Sequence, residues 1–430
     1  MRDFNYPFRN LNRLKNSVLL FFTIIFTYKF FQSTPFHELF FQMQAGFLGL
    51  VLLFLLTYIV TVILNGKLVN RVVAYYLVLI MIIPLYGAIN ALISFGQPFI
   101  FGILSGRGWL LLGVGIWFYY ILVTGKMNFT TIEATFIFMA WSSLIFFSFI
   151  LLTVDASQFI DPESSSKFVL ISDTRGLRFN FQTYFISFGT IYYFVKYIIT
   201  KNHANLLYFL VFIGYILFVV QGRTYIITLA STFLLYFLFN YSFNKVVLLI
   251  LKLVLFLSMM LLLIQVAIPD YLERMSDLFI QMFTVFTGKE SEDSSANARI
   301  FETLIVWNYF TEHPFSILFG TGSISHQWND GYESIFGYFY PWDIGILGGL
   351  FMYGIVGFFF LFLIPIAISV KTIKKVVDKK NIFIITMKYL LLLAIISAVH
   401  DSFYFEPIKY VIPLFILLAY LKVEEKNKAG

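Results

Sequence analysis

Apolar runs close to twenty residues long recur through this chain, and that repetition confines it to a membrane. A helix needs about 20 apolar residues to cross the hydrocarbon layer, and every backbone polar group in it must be satisfied internally. We place spans near residues 15–33, 45–64, 71–93, 108–124, 130–153, 183–200, 204–220, 224–240, 245–268, 343–369, 383–400 and 407–421. The expected fold class is therefore all-α, a polytopic membrane helical bundle of about twelve transmembrane helices. The first run is read as a span rather than a signal peptide, because no small-residue cleavage site follows it and many more spans do. Composition agrees, with 60% of the 430 residues hydrophobic and 12% charged, against about 25% charged in a soluble domain. The 55 Phe are read as lipid-facing and packing material, with no functional weight.

The spans divide the chain into a bundle over 1–268 carrying an outer loop at 155–182, a large loop over 269–342, and three C-terminal spans with a tail over 343–430. Lys and Arg gather on alternate connections: Arg2, Arg9, Arg13 and Lys15, then Lys67, Arg71, Lys126, Lys201 and Lys245, then Lys371 to Lys380, then Lys422 to Lys428. The positive-inside bias makes these segments and both termini cytoplasmic, and makes the two large loops extracytoplasmic. The net +7 charge is thereby accounted for by membrane orientation, and nucleic acid is not expected as a partner. With 0 cysteines, thiol chemistry and cysteinyl metal sites are excluded. The five histidines form no close pair or HExxH, so neither a metal nor a cofactor is expected.

Within the large loop, Pro269–Met282 reads as a short interfacial helix. A second helix is expected from Asn297, with Ile300, Phe301, Leu304, Ile305, Trp307 and Tyr309 as its apolar positions and Pro314 as its stop. Arginines on the outward side work against the orientation bias: Arg107, Arg175, Arg178, Arg223 and Arg299. The bland readings are snorkelling to lipid phosphate, for Arg107 and Arg223, and an i,i+3 pair of Arg299 with Glu302. Taken together, the guanidiniums suit phosphate oxygens. At the outer leaflet that suggests a lipid diphosphate, whose departure arginines would stabilise without a metal, giving a route to glycosyl transfer. Asp343, His326, Asp401 and Glu406 are candidates to orient or deprotonate an acceptor hydroxyl, with His400 beside Asp401.

The run from Asp343 through Gly345, Gly348, Gly354 and Gly357, a DxGxxGxxxxxGxxG pattern, resembles the polysaccharide-repeat polymerases of the Wzy type. The segment Arg299 to Gly322, with Trp307, Phe310, Pro314 and GTG, is similar to the corresponding loop of those enzymes and of the related O-antigen ligases. The Arg-Thr pair at Arg223 fits as well. The resemblance implies a GT-C-like glycosyltransferase in the bacterial inner membrane. It would join oligosaccharides carried on undecaprenyl diphosphate, working beside flippase and chain-length regulator proteins. Arg223, Arg299, Asp343 and His326 carry over as catalytic candidates. Arg107, Arg175, Arg178, His400 and Asp401 stand as substrate-binding ones. The rivals are a ligase, with the same chemistry on another acceptor, a flippase or transporter of lipid-linked sugars, and a non-catalytic scaffold.

Overall fold

The computed structural model describes residues 6–30, 37–64, 70–153, 169–172, 176–179, 183–220, 222–242, a few positions between 244 and 258, 294–399 and 407–429. The first six helices are α1 (Tyr6–Thr27), α2 (His37–Leu64), α3 (Arg71–Phe95), α4 (Phe99–Ser105), α5 (Leu112–Val123) and α6 (Phe129–Thr153). A hairpin follows, β1 (Val169–Ser172) antiparallel to β2 (Gly176–Phe179), with Leu170 opposite Arg178. Then come α7 (Tyr184–Thr200), α8 (His203–Tyr215) and α9 (Arg223–Asn240). The large loop contributes α10 (Ser294–Glu312), α11 (Phe315–Phe319) and α12 (Glu333–Phe336). The chain ends in α13 (Gly345–Phe358), α14 (Ile364–Lys375), α15 (Ile382–Ser397) and α16 (Ile408–Ala429).

The expectation of about twelve crossings is overturned. Among the described residues five helical segments are long and apolar enough to cross a membrane: Leu39–Val62, Arg71–Phe95, Phe99–Val123, Phe129–Ile150 and Pro341–Lys375. Asn16–Thr27, His203–Tyr215, Thr224–Asn240 and Ile382–Ser397 are apolar but shorter. At 1.5 Å per residue, the 16 residues of α15 reach about 24 Å, short of a hydrocarbon layer of about 30 Å. The stretch expected at 245–268 lies almost wholly outside the described residues. With the twelve-span count go the GT-C-like bundle and the cytoplasmic placement of both termini that depended on it. What stands is a helix-rich membrane protein, consistent with a multi-pass location.

Lipid-facing chemistry is visible on the helices themselves. On α2, Leu50, Leu53, Leu56 and Val60 are exposed along one side, Leu50 to 65%, a stripe that water would not tolerate but acyl chains do. Inside, small residues let helices close on one another. A Cβ on Gly115 of α5 would run into Val411 and Phe415 of α16, and one on Gly189 of α7 into Phe212 of α8.

The segment after α10 does not stay outside the bundle. Gly320–Ser323 is wedged between α3 and α13. The Thr321 and Gly322 N–H groups donate to the carbonyls of Phe351 and Met352, at 2.8 and 2.9 Å. Those carbonyls are free because α13 is broken at Gly354, whose φ of 64° and ψ of −173° leave the helical region. Gly354 abuts the backbone of Leu318 and Gly320, while Gly322 lies on Gly87 and Ala91 of α3, so closely that a Cβ at any of these loop and break positions would collide with backbone. Gly87 and Ala91 lie about 6–12 Å along α3 from its end at Phe95. Polar side chains of α3 and its continuation complete the wedge. Tyr86 and Asn90 donate to the Phe319 carbonyl. The Gln97 amide donates to the Ser323 carbonyl at 3.2 Å and accepts from the Ser325 N–H at 2.7 Å. Tyr332 donates to the Gly322 carbonyl. Irregular backbone survives at such a level only when protein meets its polar groups, and here protein does.

Candidate functional site

The site is assembled where α10 crosses the start of α13. A helix with apolar residues four apart buries one stripe, and on α10 that stripe is Glu302, Val306 and Phe310, at 0%, 0% and 5% exposure. Phe301, Leu304 and Trp307, read from sequence among the apolar positions of this helix, are exposed. The buried stripe meets an aromatic cluster in which Phe339 and Phe351 lie 5.1 Å apart and Phe336 and Phe339 lie 5.2 Å apart. That cluster fixes the loop on α13.

Pro341–Ile344 forms a 3₁₀ turn that folds back over the first turn of α13. Gly348 makes this possible, because a Cβ there would fall on the Pro341 carbonyl. Gly345 follows at φ 55°, ψ −122°, a backbone that L side chains rarely adopt. Asp343 and its two following glycines are thus one local device: a turn that lifts an exposed carboxylate off the end of a buried helix.

Beneath that turn sits Glu302. Its Oε1 accepts from the Tyr340 N–H at 3.0 Å. Its Oε2 is buried and has no hydrogen-bond partner among the described residues. Burial pushes this carboxyl up to about 7. The Tyr340 N–H opposes the rise, the Asp343 charge adds to it, and Arg299 works against it. Tyr338 is raised by burial and then by the Asp343 and Glu302 charges, with Arg299 again opposing. Tyr340 is raised by burial and then by Glu333, Asp343 and Glu302. Arg299, Glu302, Asp343, Tyr338, Tyr340 and Glu333 therefore share one electrostatic neighbourhood. Tyr340 also lines a small cleft with His326, Glu333 and Trp342.

Three of the four catalytic candidates, Arg299, His326 and Asp343, fall on this patch, and all three are exposed. The expected Arg299–Glu302 pair does not form: the guanidinium stays in solvent while the carboxylate turns inward to Tyr340. Arg223 begins α9, with its side chain outside the described residues. Arg107 is exposed in the turn Gly106–Leu111, next to the buried Trp109. Arg178 is placed on β2 by its backbone alone, and Arg175, His400, Asp401, Glu406 and the helix expected at 269–282 lie outside the described residues. Glu302 is the residue whose part in the site sequence reasoning missed, having named it only as a partner of Arg299. Its signal was a carboxylate on the same stripe as Val306 and Phe310, where an apolar residue belongs. Among the described residues no group of three or more His, Asp or Glu is placed to hold a metal ion. Comparison of the chain with protein-family models, with curated proteins and with solved structures finds no match.

Proposed function

We propose that this protein is a membrane glycosyltransferase that polymerises polyprenyl-diphosphate-linked oligosaccharide units into a surface polysaccharide, on the extracytoplasmic side of a bacterial inner membrane. The observation that carries the reading is the meeting of Arg299 and Asp343 around Glu302, with His326 one side chain away across Tyr340. Arg299 and Asp343 are 44 residues apart in sequence, and both, with His326, are among the residues that the Wzy resemblance carries over as catalytic candidates. In the reaction proposed, the acceptor hydroxyl attacks the anomeric carbon, the bond to the diphosphate oxygen breaks, and the lipid diphosphate leaves. Arg299, with Arg223, neutralises the charge on the leaving oxygens. Asp343 orients the hydroxyl and receives its proton.

A flippase or transporter of lipid-linked sugars draws on one feature, the discontinuous helix at Gly354, since broken helices build transporter sites. Here the freed carbonyls are already occupied by Thr321 and Gly322, which favours the transferase. The test is purified protein with a lipid-diphosphate-linked repeat unit, with and without chelator, read as a ladder on a gel. Arg299→Ala and Asp343→Asn are each expected to reduce the ladder about a hundredfold. An undiminished ladder in both variants overturns the site. Transfer to a foreign lipid acceptor without a ladder makes the protein a ligase, and translocation without transfer makes it a transporter.

A further inference from the structure

We propose that the lysine-rimmed groove at the end of α14 holds an anionic phospholipid, with an acyl chain along the helix and the headgroup phosphate among Lys371, Lys374 and Lys375. The inference stands apart from the transferase reading. The helical segment Pro341–Lys375 is 35 residues long and reaches about 50 Å, past a hydrocarbon layer of about 30 Å, so its last turns stand at headgroup level. By the positive-inside bias, the lysines put that end at the cytoplasmic leaflet. Leu363, Ile366, Ala367 and Val370 line the apolar half of the groove, and the three lysines line the other half. Leu363 and Ala367 are exposed, as are all three lysines. Spacings of three and four residues bring these side chains onto one face of the helix. The surface is thus apolar along its length and cationic at its tip, complementary to the two parts of an anionic phospholipid.

Charge sets this cluster apart from its neighbour. The adjoining end of α16, tied to this one by the Tyr420 hydroxyl donating to Asp378 at 2.6 Å, also carries three lysines but keeps them engaged. Lys422 pairs with Glu425 at 3.3 Å, Lys428 pairs with Glu424 at 2.8 Å, and Lys426 donates to the Val123 carbonyl. Lys371, Lys374 and Lys375 make no hydrogen bond or ion pair among the described residues. The carboxylate closest to them in the chain, Asp378, is taken by Tyr420 and by the N–H groups of Lys380 and Asn381, at 2.8 and 3.1 Å. Lys371 has Lys374 and Lys375 at i+3 and i+4, spacings at which like charges repel. The helix dipole accounts for Lys374 and Lys375, which lie in the last turn of α14, but not for Lys371 or the groove. A phosphate among the three offsets the repulsion. A free anion leaves the apolar half unused, whereas a lipid uses both halves.

The experiment is native mass spectrometry of the full chain released from a neutral detergent, with phosphatidylglycerol and phosphatidylcholine of matched acyl chains as probes. Phosphatidylglycerol is expected to stay bound and phosphatidylcholine to be lost. Lys371→Gln, Lys374→Gln and Lys375→Gln together are expected to weaken phosphatidylglycerol retention about a hundredfold, at about fivefold for each charge. Lys422→Gln with Lys428→Gln, on the paired cluster, is expected to leave it unchanged. Ala367→Trp, which fills the exposed apolar half and keeps every charge, is expected to weaken it about tenfold. Equal retention of the two lipids, or an equal loss in the α16 variant, overturns the site in favour of unspecific surface charge. Retention untouched by Ala367→Trp overturns the groove, and so does displacement of the lipid by inorganic phosphate, which would leave an anion site alone. All the substituted side chains of α14 are exposed, so these variants are expected to unfold at the parent's midpoint in lipid-free detergent. A lowered midpoint in the triple lysine variant would put those residues in the framework instead and overturn the proposal.

Discussion

The wedge at Thr321 and the acidic turn at Asp343 are fastened to the same helix, yet they treat their polar groups in opposite ways. In the wedge, uncharged side chains from α3 and the link after it meet the loop: Gln97 pairs with both Ser323 and Ser325, and the Phe319 carbonyl receives two donors. At the turn, charged groups are crowded together, and one buried carboxylate oxygen has no partner among the described residues. A satisfied network in a poorly polarisable setting makes one rigid arrangement, whereas an unmet buried oxygen is a standing cost of about 1–3 kcal/mol that folding alone does not reward. The wedge reads as structure. On the function proposed above, the chemistry sits on the part of the loop that the wedge holds.

The contrast breaks most easily at Gly354. Gly354→Ala places a Cβ against the Leu318 and Gly320 backbone at a positive φ, and a loss above about 4 kcal/mol is expected. Thermal unfolding in detergent, followed by size-exclusion profile, checks this. A variant as stable as the parent would mean that the wedge is not what fastens the loop.

Next in size is the pH response of Glu302. Its folded carboxyl titrates near 7 against an ordinary value of 4.5, so between those pH values the folded protein binds the proton more tightly than the unfolded chain. Stability therefore falls as pH rises through that window, by on the order of 3 kcal/mol, and is level above it. Glu302→Gln keeps an acceptor for the Tyr340 N–H and is expected to remove the slope. Denaturation series at pH 5 and pH 7.5 decide it, and equal slopes in parent and variant would contradict the assignment.

A smaller loss is expected for Gln97→Leu, which strands the Ser325 N–H and the Ser323 carbonyl. About 2 kcal/mol is expected, read as a shift of the unfolding midpoint together with faster amide exchange at Ser325. The smallest effect on stability belongs to Arg299→Ala. The guanidinium is exposed and makes no ion pair among the described residues, so the change should stay within about 0.5 kcal/mol. Loss of polymer formation in that variant without loss of stability separates chemistry from scaffold. A large destabilisation would put Arg299 in the framework instead.

Parts of this organisation were legible beforehand, for identifiable reasons. The helix over Ser294–Glu312 was legible from its apolar positions and its stop from Pro314, both local signals, although it begins three residues before Asn297, where its start was expected. The face it buries was not legible, because Phe301, Leu304 and Trp307 are as apolar as Val306 and Phe310 and hydrophobicity alone ranks both stripes alike. The glycines after Asp343 were read as a motif. Their separate tasks, a folded-back turn at Gly348 and a helix break at Gly354, depend on Pro341 and Leu318 arriving from elsewhere. The span count failed because hydropathy measures how apolar a stretch is and not how much of it stays one unbroken helix.

Sequence by itself determined that this chain belongs in a membrane, since apolar length and the scarcity of charge are properties that no tertiary arrangement can undo. It also determined that cysteine chemistry is absent and where α10 stops. Tertiary structure alone decided that Gly320–Ser323 lies between α3 and α13, and that Glu302 is buried beneath Asp343. Both depend on contacts between residues far apart in the chain, and a carboxylate's environment is set by what packs over it rather than by its neighbours in sequence.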